Sequence, residues 1–441
     1  GSREPGAGSR EPGAAFGLSE DTLRHDGRLV PEAIGLSHAE QFARLAEGCP
    51  DAVPRAFIAG DPCYDRIAAS LPRRLHYRHA FHLATGQRLI TVASTWREDS
   101  LFGADPLLVS RLLNELPYDQ YRIALVLHPN VWASHSSFQV RAWLAEALRA
   151  GLILLPPEEG WRAAIIAADW VVSDHGSVSI YAAAAGRPVL LEKSAREMID
   201  PRSGLGRLLA VAPALDPHAP IEPQLRIAEE LQDRTHAVAA DWVSSAPGRS
   251  LRLIRDELYR IMNVAPPDTE PAVLAVGSPE VDGTPPASLW THVEQAGTDP
   301  RELSVRRRPA AVTGSYLSGL LVAADDELDH RLLSQADIIS LAGDPRPLDE
   351  EEWSAAVFED RPGARLTLVH AGRRACLRTR DGRVISVVLD DIDSLGDADL
   401  VFTVLAERLL TRPDDLAALS PLVLRLGPAR SVRASFRVRP H

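Results

Sequence analysis

Three short polar clusters each follow an apolar run: Ser94-Thr95-Trp96-Arg97, His128-Pro129-Asn130 and Asp174-His175-Gly176-Ser177-Val178-Ser179. Their residue types suit an anion. The hydroxyls of Ser94, Thr95, Ser177 and Ser179 can donate to phosphate oxygens. Arg97 is a permanent cation whose planar fork matches phosphate geometry. Gly176 has no side chain, so the backbone there can approach a ligand closely. His128 and His175 carry imidazoles, the side-chain type that can donate to a phosphate or protonate a leaving group. These two histidines are the catalytic candidates. In the third cluster an apolar strand meets a small polar turn, and a helix then opens. Unpaired N–H groups and the helix dipole at such a start both favour negative charge. The anion that suits this arrangement is the diphosphate of a nucleotide-activated donor. The expected donor-binding set is Ser94, Thr95, Trp96, Arg97, Asn130, Asp174, Gly176, Ser177, Val178 and Ser179.

Each residue also has a plainer reading. Ser177 and Ser179 can cap a helix. His128 can be a buried histidine bonded to backbone. Trp96 suits packing better than base stacking, and Asp174 can brace the turn.

The elements that must position these clusters alternate. Apolar runs at 88–94, 122–127, 152–155, 170–173 and 188–191 read as strands. Helical patterns at 106–116, 137–150, 161–168, 178–185 and 224–244 separate or follow them, and a last helix covers 249–263. This alternation predicts βαβ units and a parallel sheet, with both faces covered because the strands are continuously apolar. All three clusters then fall at carboxyl ends of strands, where open α/β sheets bind ligands. Upstream, strands at 28–36 and 53–59 with a helix at 38–46 read as the remnant of an earlier α/β half. The expected domains are 1–17 low-complexity, 18–72 remnant and connection, 73–263 donor-binding, 264–312 linker and 313–441 a small α+β accessory domain. Its strands are predicted at 320–323, 338–341, 365–370, 375–379 and 384–389, with a hairpin at Asp381-Gly382.

The chain has 441 residues, 45% hydrophobic and 24% charged, with a net charge of −12. Such a balance argues against nucleic acid as a partner. Cys49, Cys63 and Cys376 are scattered, which fits a reducing compartment. Lys193 is the only lysine. No apolar run approaches the ~20 residues of a membrane span. The repeated Gly-Ser-Arg-Glu-Pro-Gly-Ala opening, without an initiator methionine, reads as the C-terminal part of something longer.

Other signals are weaker. His76, His79 and His82 suit a solvated helix better than a metal site. Asp390 to Gly396 lacks the ligands of a calcium loop. Arg306-Arg307-Arg308 reads as a solvated run beside the linker, and Arg430, Arg433, Arg437 and Arg439 as guards of an edge strand. No phosphate loop of the P-loop type and no Gly-x-Ser-x-Gly elbow is present, which argues against an NTPase and a serine hydrolase.

Ser94 to Asp99, His128-Pro129 and Ser173 to Val178 resemble three motifs of the CDP-glycerol glycerophosphotransferases, the teichoic-acid polymerase family. The likeness covers about 18–263. With Trp96, Trp132, Trp143 and Trp161 it resembles an actinobacterial branch. Gly60 to Arg66 resembles the segment joining the two halves in that group and in UDP-GlcNAc 2-epimerase-like enzymes. Two features depart from the family: His175-Gly176 stands where Tyr-Ser is usual, and most of the acceptor-side domain is missing.

The resemblance implies a GT-B fold with a Rossmann-like donor domain. It implies CDP-glycerol or a UDP-sugar as donor substrate, no required cofactor, and a polymer or lipid-linked acceptor. A cytoplasmic location follows, at the inner membrane face if peripheral contact occurs. Rival expectations are a non-catalytic nucleotide-binding relic and a UDP-sugar epimerase-like enzyme.

Overall fold

The computed structural model describes residues 17–312, 319–343, 350–412 and 416–440. The low-complexity opening, apart from Gly17, lies outside them. The chain starts with a small hairpin, β1 (Arg24–His25) and β2 (Arg28–Leu29). Next come β3 (Ile34–Leu36), the helix Gln41–Gly48 and β4 (Ala56–Ile58). β3 and β4 are parallel, so this is one βαβ unit. Its core holds Leu18, Leu23, Ile34, Leu36, Leu45, Cys49 and Ala52. The expected strand at 28–36 is thus split in two. The one at 53–59 begins as 3-10 helix through Arg55, where Pro50 and Pro54 cannot donate to a ladder, and is strand over Ala56–Ile58.

At the connection, Asp61 caps the helix Pro62–Ser70 by accepting from Tyr64 N–H. Buried Asp65 accepts from Gly248 and Ser250 N–H, tying this helix to the start of Ser250–Met262.

Five strands build the parallel sheet: β5 (Arg88–Ser94), β6 (Tyr121–Leu127), β7 (Ile153–Leu154), β8 (Trp170–Ser173) and β9 (Val189–Leu191). Their order is β7-β6-β5-β8-β9. β5 is therefore the strand from which the winding turns back, and the crevice between the ends of β5 and β8 is the topological switch point. Both faces are covered. Helices Trp161–Ala167, Ser177–Ala184 and Gly204–Val211 line one core, and Leu108–Glu115 and Ile221–Glu230 line the other. Burial on both sides explains why successive residues of β5 and β8 are buried rather than alternate ones.

The helix expected at 137–150 begins earlier. Pro129 occupies its first position, with φ already suited to a helix, and His128 is the cap. Ser136, at φ 61 and ψ 154, breaks Pro129–Trp143 in two.

The C-terminal part differs from the expected linker and α+β domain. Segment 264–312 contains two eight-residue strands, β10 (Ser288–Gln295) and β11 (Glu302–Pro309). They join β12 (Leu320–Ala324), β13 (Ile338–Ala342), β14 (Leu366–Ala371), β15 (Arg374–Thr379), β16 (Val384–Ile392), β17 (Leu422–Arg425) and β18 (Ser431–Pro440). The nine strands close into a barrel ordered β10-β11-β17-β18-β16-β15-β14-β13-β12. The linker reading failed because Pro, Gly and Thr flank both strands. Inside them, Val293, Leu303 and Val305 alternate with polar residues and point into the barrel core.

The helix Ala398–Thr411 fills the barrel. It is buried on all sides, Val401, Phe402, Val404 and Leu405 included, as expected of a helix apolar around its circumference. Burying each such side chain contributes about 1.5–3 kcal/mol. Helices His330–Gln335 and Glu350–Asp360 cover one outer side, over Leu321, Ala323, Ile339 and Val369.

The barrel docks on the edge of the parallel sheet opposite the polar clusters. Tyr118 N–H donates to Arg307 O at 2.9 Å. Buried Arg307 grips buried Asp119 with Nε at 2.9 Å and Nη2 at 2.7 Å. Arg430, buried and not on a strand, donates to Asp119 O and pairs with Asp397. Hence neither Arg307 nor Arg430 is solvated. A shallow cleft on this seam is lined by Leu112, Leu116, Tyr118, Arg122 and Pro309. Among the described residues no helix is long and apolar enough to cross a membrane.

Candidate functional site

The three polar clusters meet at the carboxyl edge of the sheet, and Asp174 holds them together. Its side chain is fully buried. Oδ2 accepts from Thr95 N–H and Thr95 Oγ1, both at 2.8 Å, and from Leu101 N–H at 2.9 Å. Oδ1 accepts from Gly176 N–H at 3.1 Å. One carboxylate thus ties the end of β5 to the end of β8 across the switch point. His128 N–H donates to Ser94 O at 3.1 Å, which brings in the end of β6.

This bracing separates two groups within the expected donor-binding set. Ser94, Asp174 and Ser179 are buried and committed to the protein. Ser94 Oγ accepts from Phe102 N–H at 2.9 Å, and Ser179 Oγ donates to Asp174 O at 2.6 Å. Thr95 spends its hydroxyl proton on Asp174. A buried, fully bonded carboxylate would also repel phosphate. Asp174 therefore positions the edge, as its plainer reading had it. Val178 packs its side chain against the core under the sheet.

Facing outward, beside exposed Glu98, are one cation and several donors. Ser177 opens the helix Ser177–Ala184 and is exposed. Gly176 is the cap residue, and no side chain caps this start. The plainer reading of Ser177 and Ser179 as caps does not hold. The backbone N–H groups of Ser177 and Val178 thus lack intrahelical acceptors. Arg97 is exposed, with its guanidinium carbon 4.3 Å from the centre of the Trp96 indole. Trp96 is 36% exposed and lies near-parallel to His128, with ring centres 6.3 Å apart. Arg97 adopts φ 86, a region costly to non-glycine residues, so the loop between β5 and Leu101 is held in a strained form. Asp174 supplies the hold.

His128 caps the helix that starts at Pro129. Its Nδ1 accepts from Asn130 N–H at 3.1 Å. Burial lowers its pKa, only partly opposed by Asp174. The ring is thus neutral near pH 7 with its proton on Nε2, which makes Nε2 a donor and not a base. His175 stands beside Gly176, with a buried Nδ1 that has no partner. The Asn130 amide, half-buried, completes the ledge.

Lys193 belongs to the same edge and was missed in the sequence. Glu192 N–H donates to Ser173 O at 2.8 Å, so residues 192–193 leave β9 beside the third cluster. Lys193 Nζ donates to Ala212 O at 2.5 Å, and burial lowers its pKa. The available signal was its place directly after the fifth apolar run.

Gly176 is required by contact as well as conformation. A Cβ there would lie 2.7 Å from the Thr95 methyl carbon. Gly176→Ala is expected to displace Thr95 and weaken ligand binding at this edge by about tenfold, the ~1.4 kcal/mol of one modest misplacement. Titration calorimetry on the variant measures it.

No protein-family model matches this chain, and no curated protein sequence matches it. Among solved structures, a CDPG-soaked variant of the wall teichoic acid polymerase TagF is 16% identical, over 56% of this chain and 64% of that one, with a TM-score of 0.40. S. aureus MnaA with UDP is 14% identical over 54% and 64%, with a TM-score of 0.36. The UDP-GlcNAc 2-epimerase of Neisseria meningitidis bound to UDP-GlcNAc is 15% identical over 52% and 61%, at 0.33. This chain spans less than two thirds of the length of each. Likeness at that level transfers no residue role, so the chemistry of the edge rests on its own atoms.

Proposed function

We propose that the carboxyl edge binds the diphosphate of a nucleotide-activated donor. On this reading the chain is the donor half of a GT-B-type transferase, which moves a glycerol-phosphate or glycosyl group to a cell-envelope or lipid-linked acceptor. One observation carries the proposal. An uncapped helix start, Ser177–Ala184, opens at the switch point beside an exposed arginine and a histidine whose free nitrogen is a donor.

The residues act by stabilising charge. In glycerol-phosphate transfer, an acceptor hydroxyl attacks the outer phosphorus and the bridging P–O bond breaks. The electron pair leaves on the nucleotide monophosphate, and the acceptor proton goes to a base. In glycosyl transfer the anomeric C–O bond breaks and the nucleoside diphosphate leaves. Either way, negative charge grows on nucleotide phosphate. Ser177 and Val178 N–H, the Ser177 hydroxyl, Arg97 and His128 Nε2–H are aimed to receive it. Neither Asp174 nor His128 can take the acceptor proton, which leaves His175, with its unpartnered Nδ1, as the one catalytic candidate for it. Asp174 has both oxygens occupied, and His128 Nε2 already carries a proton. A ledge on which His175 does not accept that proton would bind nucleotide without transfer, which is the second reading.

Calorimetry with CDP-glycerol and with UDP-sugars is the test. Ser177→Ala and His128→Ala should each weaken binding about tenfold or more, as loss of a hydrogen bond to a charged group does. Wild-type affinity in both variants would remove the assignment.

A further inference from the structure

We propose that the outer wall of the barrel binds a linear chain of phosphate groups, laid along β16 between arginines of β15 and β18. The site is separate from the carboxyl edge and does not rest on the reading given for it.

Strand alternation fixes which side chains face outward. Ala375 and Leu377 of β15, Val387 and Leu389 of β16, and Val432, Ala434 and Phe436 of β18 belong to the barrel core. Arg374, Arg378, Ser386, Val388, Arg437 and Arg439 therefore point outward. Register places them on a grid. Val388 lies between Arg374 on one side and Arg437 on the other. Ser386 lies between Cys376 and Arg439. With strands about 4.8 Å apart, the two arginine rows stand roughly 10 Å apart, and residues two apart along a row are separated by about 7 Å. The floor between them is Val384, Ser386 and Val388, and Asp390 of the same strand ends the uncharged stretch where it pairs with Arg437.

Guarding an edge does not explain the pattern. Residues 435–440 of β18 pair only with β16, so Arg437 and Arg439 do lie along an open side. β15 pairs with both β14 and β16, so Arg374 and Arg378 guard nothing. Arg437 pairs with Asp390, and Arg378 approaches Glu351 at 3.6 Å. Arg374 and Arg439 are exposed and have no carboxylate partner among the described residues. Arg374 and Arg439, one unpaired cation in each row, are the local complement to a polyanion, while Glu350 beside Cys376 and Glu351 beside Arg378 bound the wall on the β15 side.

The chemistry of the wall selects among polyanions. Arginine forks suit phosphate. No aromatic side chain faces outward on β15, β16 or β18 to stack a base, which disfavours single-stranded nucleic acid. No large apolar side chain is exposed there to enter a bilayer, which disfavours a membrane.

Long-chain inorganic polyphosphate, labelled at one end, is the probe, read by fluorescence anisotropy against full-length protein. Binding should weaken with salt at a slope near −3, as about four phosphate contacts give. Arg374→Glu with Arg439→Glu should lower affinity at least tenfold, and Arg439→Gln alone by less. Arg226→Glu, on the exposed side of Ile221–Glu230, should leave it unchanged. Wild-type affinity in the double variant overturns the proposal. So does equal binding of oligo-dT or of phosphatidylglycerol vesicles.

Discussion

Asp174→Ala is expected to destabilise the protein by about 3–5 kcal/mol and to abolish donor binding. The carboxylate is fully buried and accepts four hydrogen bonds at 3.1 Å or less. Bonds to a charged acceptor contribute about 1.5–3 kcal/mol each, and they are not additive. Alanine would also strand the Thr95 and Leu101 N–H groups in a buried place, at about 1–3 kcal/mol each. The consequence reaches the ligand because Asp174 joins the ends of β5 and β8. Without it the strained loop that presents Arg97 relaxes. Asp174→Asn keeps the shape but turns one acceptor into a donor, and its loss should be smaller. Urea unfolding followed by circular dichroism measures both variants. A wild-type midpoint in Asp174→Ala would refute the brace.

The second large effect is expected at the seam. Arg307→Met should cost about 3–5 kcal/mol, because it leaves Asp119 buried and charged without a partner. Burial opposes the charge of Arg307, but Asp119 and then Asp399 outweigh it, so the guanidinium pKa is raised. Pairing Arg307→Met with Asp119→Leu should recover most of the loss, since apolar residues of similar volume often replace a buried ion pair at little cost. Denaturation midpoints of both single variants and the double variant close the cycle. A double variant less stable than Arg307→Met would contradict this account of the seam. Stability here also bears on function, since the seam fixes the barrel at the edge of the sheet farthest from the proposed donor site.

The parallel sheet was legible because its strands are short apolar runs separated by amphipathic helices, and β5 and β8 fall where those runs stand. The clusters at their ends were legible for the same reason. The roles within the clusters were not. Nothing in the types of Ser94, Asp174 and Ser179 shows that their polar atoms turn inward, whereas those of Arg97, Asn130 and Ser177 face outward. That division depends on one carboxylate reaching across two strands, a contact 79 residues apart in sequence. The barrel was half legible. β12 to β16 stood out, but β10 and β11 were hidden by the Pro- and Gly-rich segments around them. β17 is only four residues long. Arg307 read as one of three solvated cations, because its partner Asp119 lies 188 residues away. Long-range ion pairs of this kind leave no local pattern.

Transverse-relaxation-optimised NMR of deuterated protein, titrated with CDP-glycerol and with a UDP-sugar, tests the central claim most directly. It reports binding and its place together. The account predicts that at least one donor shifts the amide signals of Ser177 and Val178 downfield, with Arg97 and Asn130 responding and the barrel amides of β12 to β16 unmoved. Saturating donor that leaves Ser177 and Val178 in place, or shifts confined to the barrel, would contradict it.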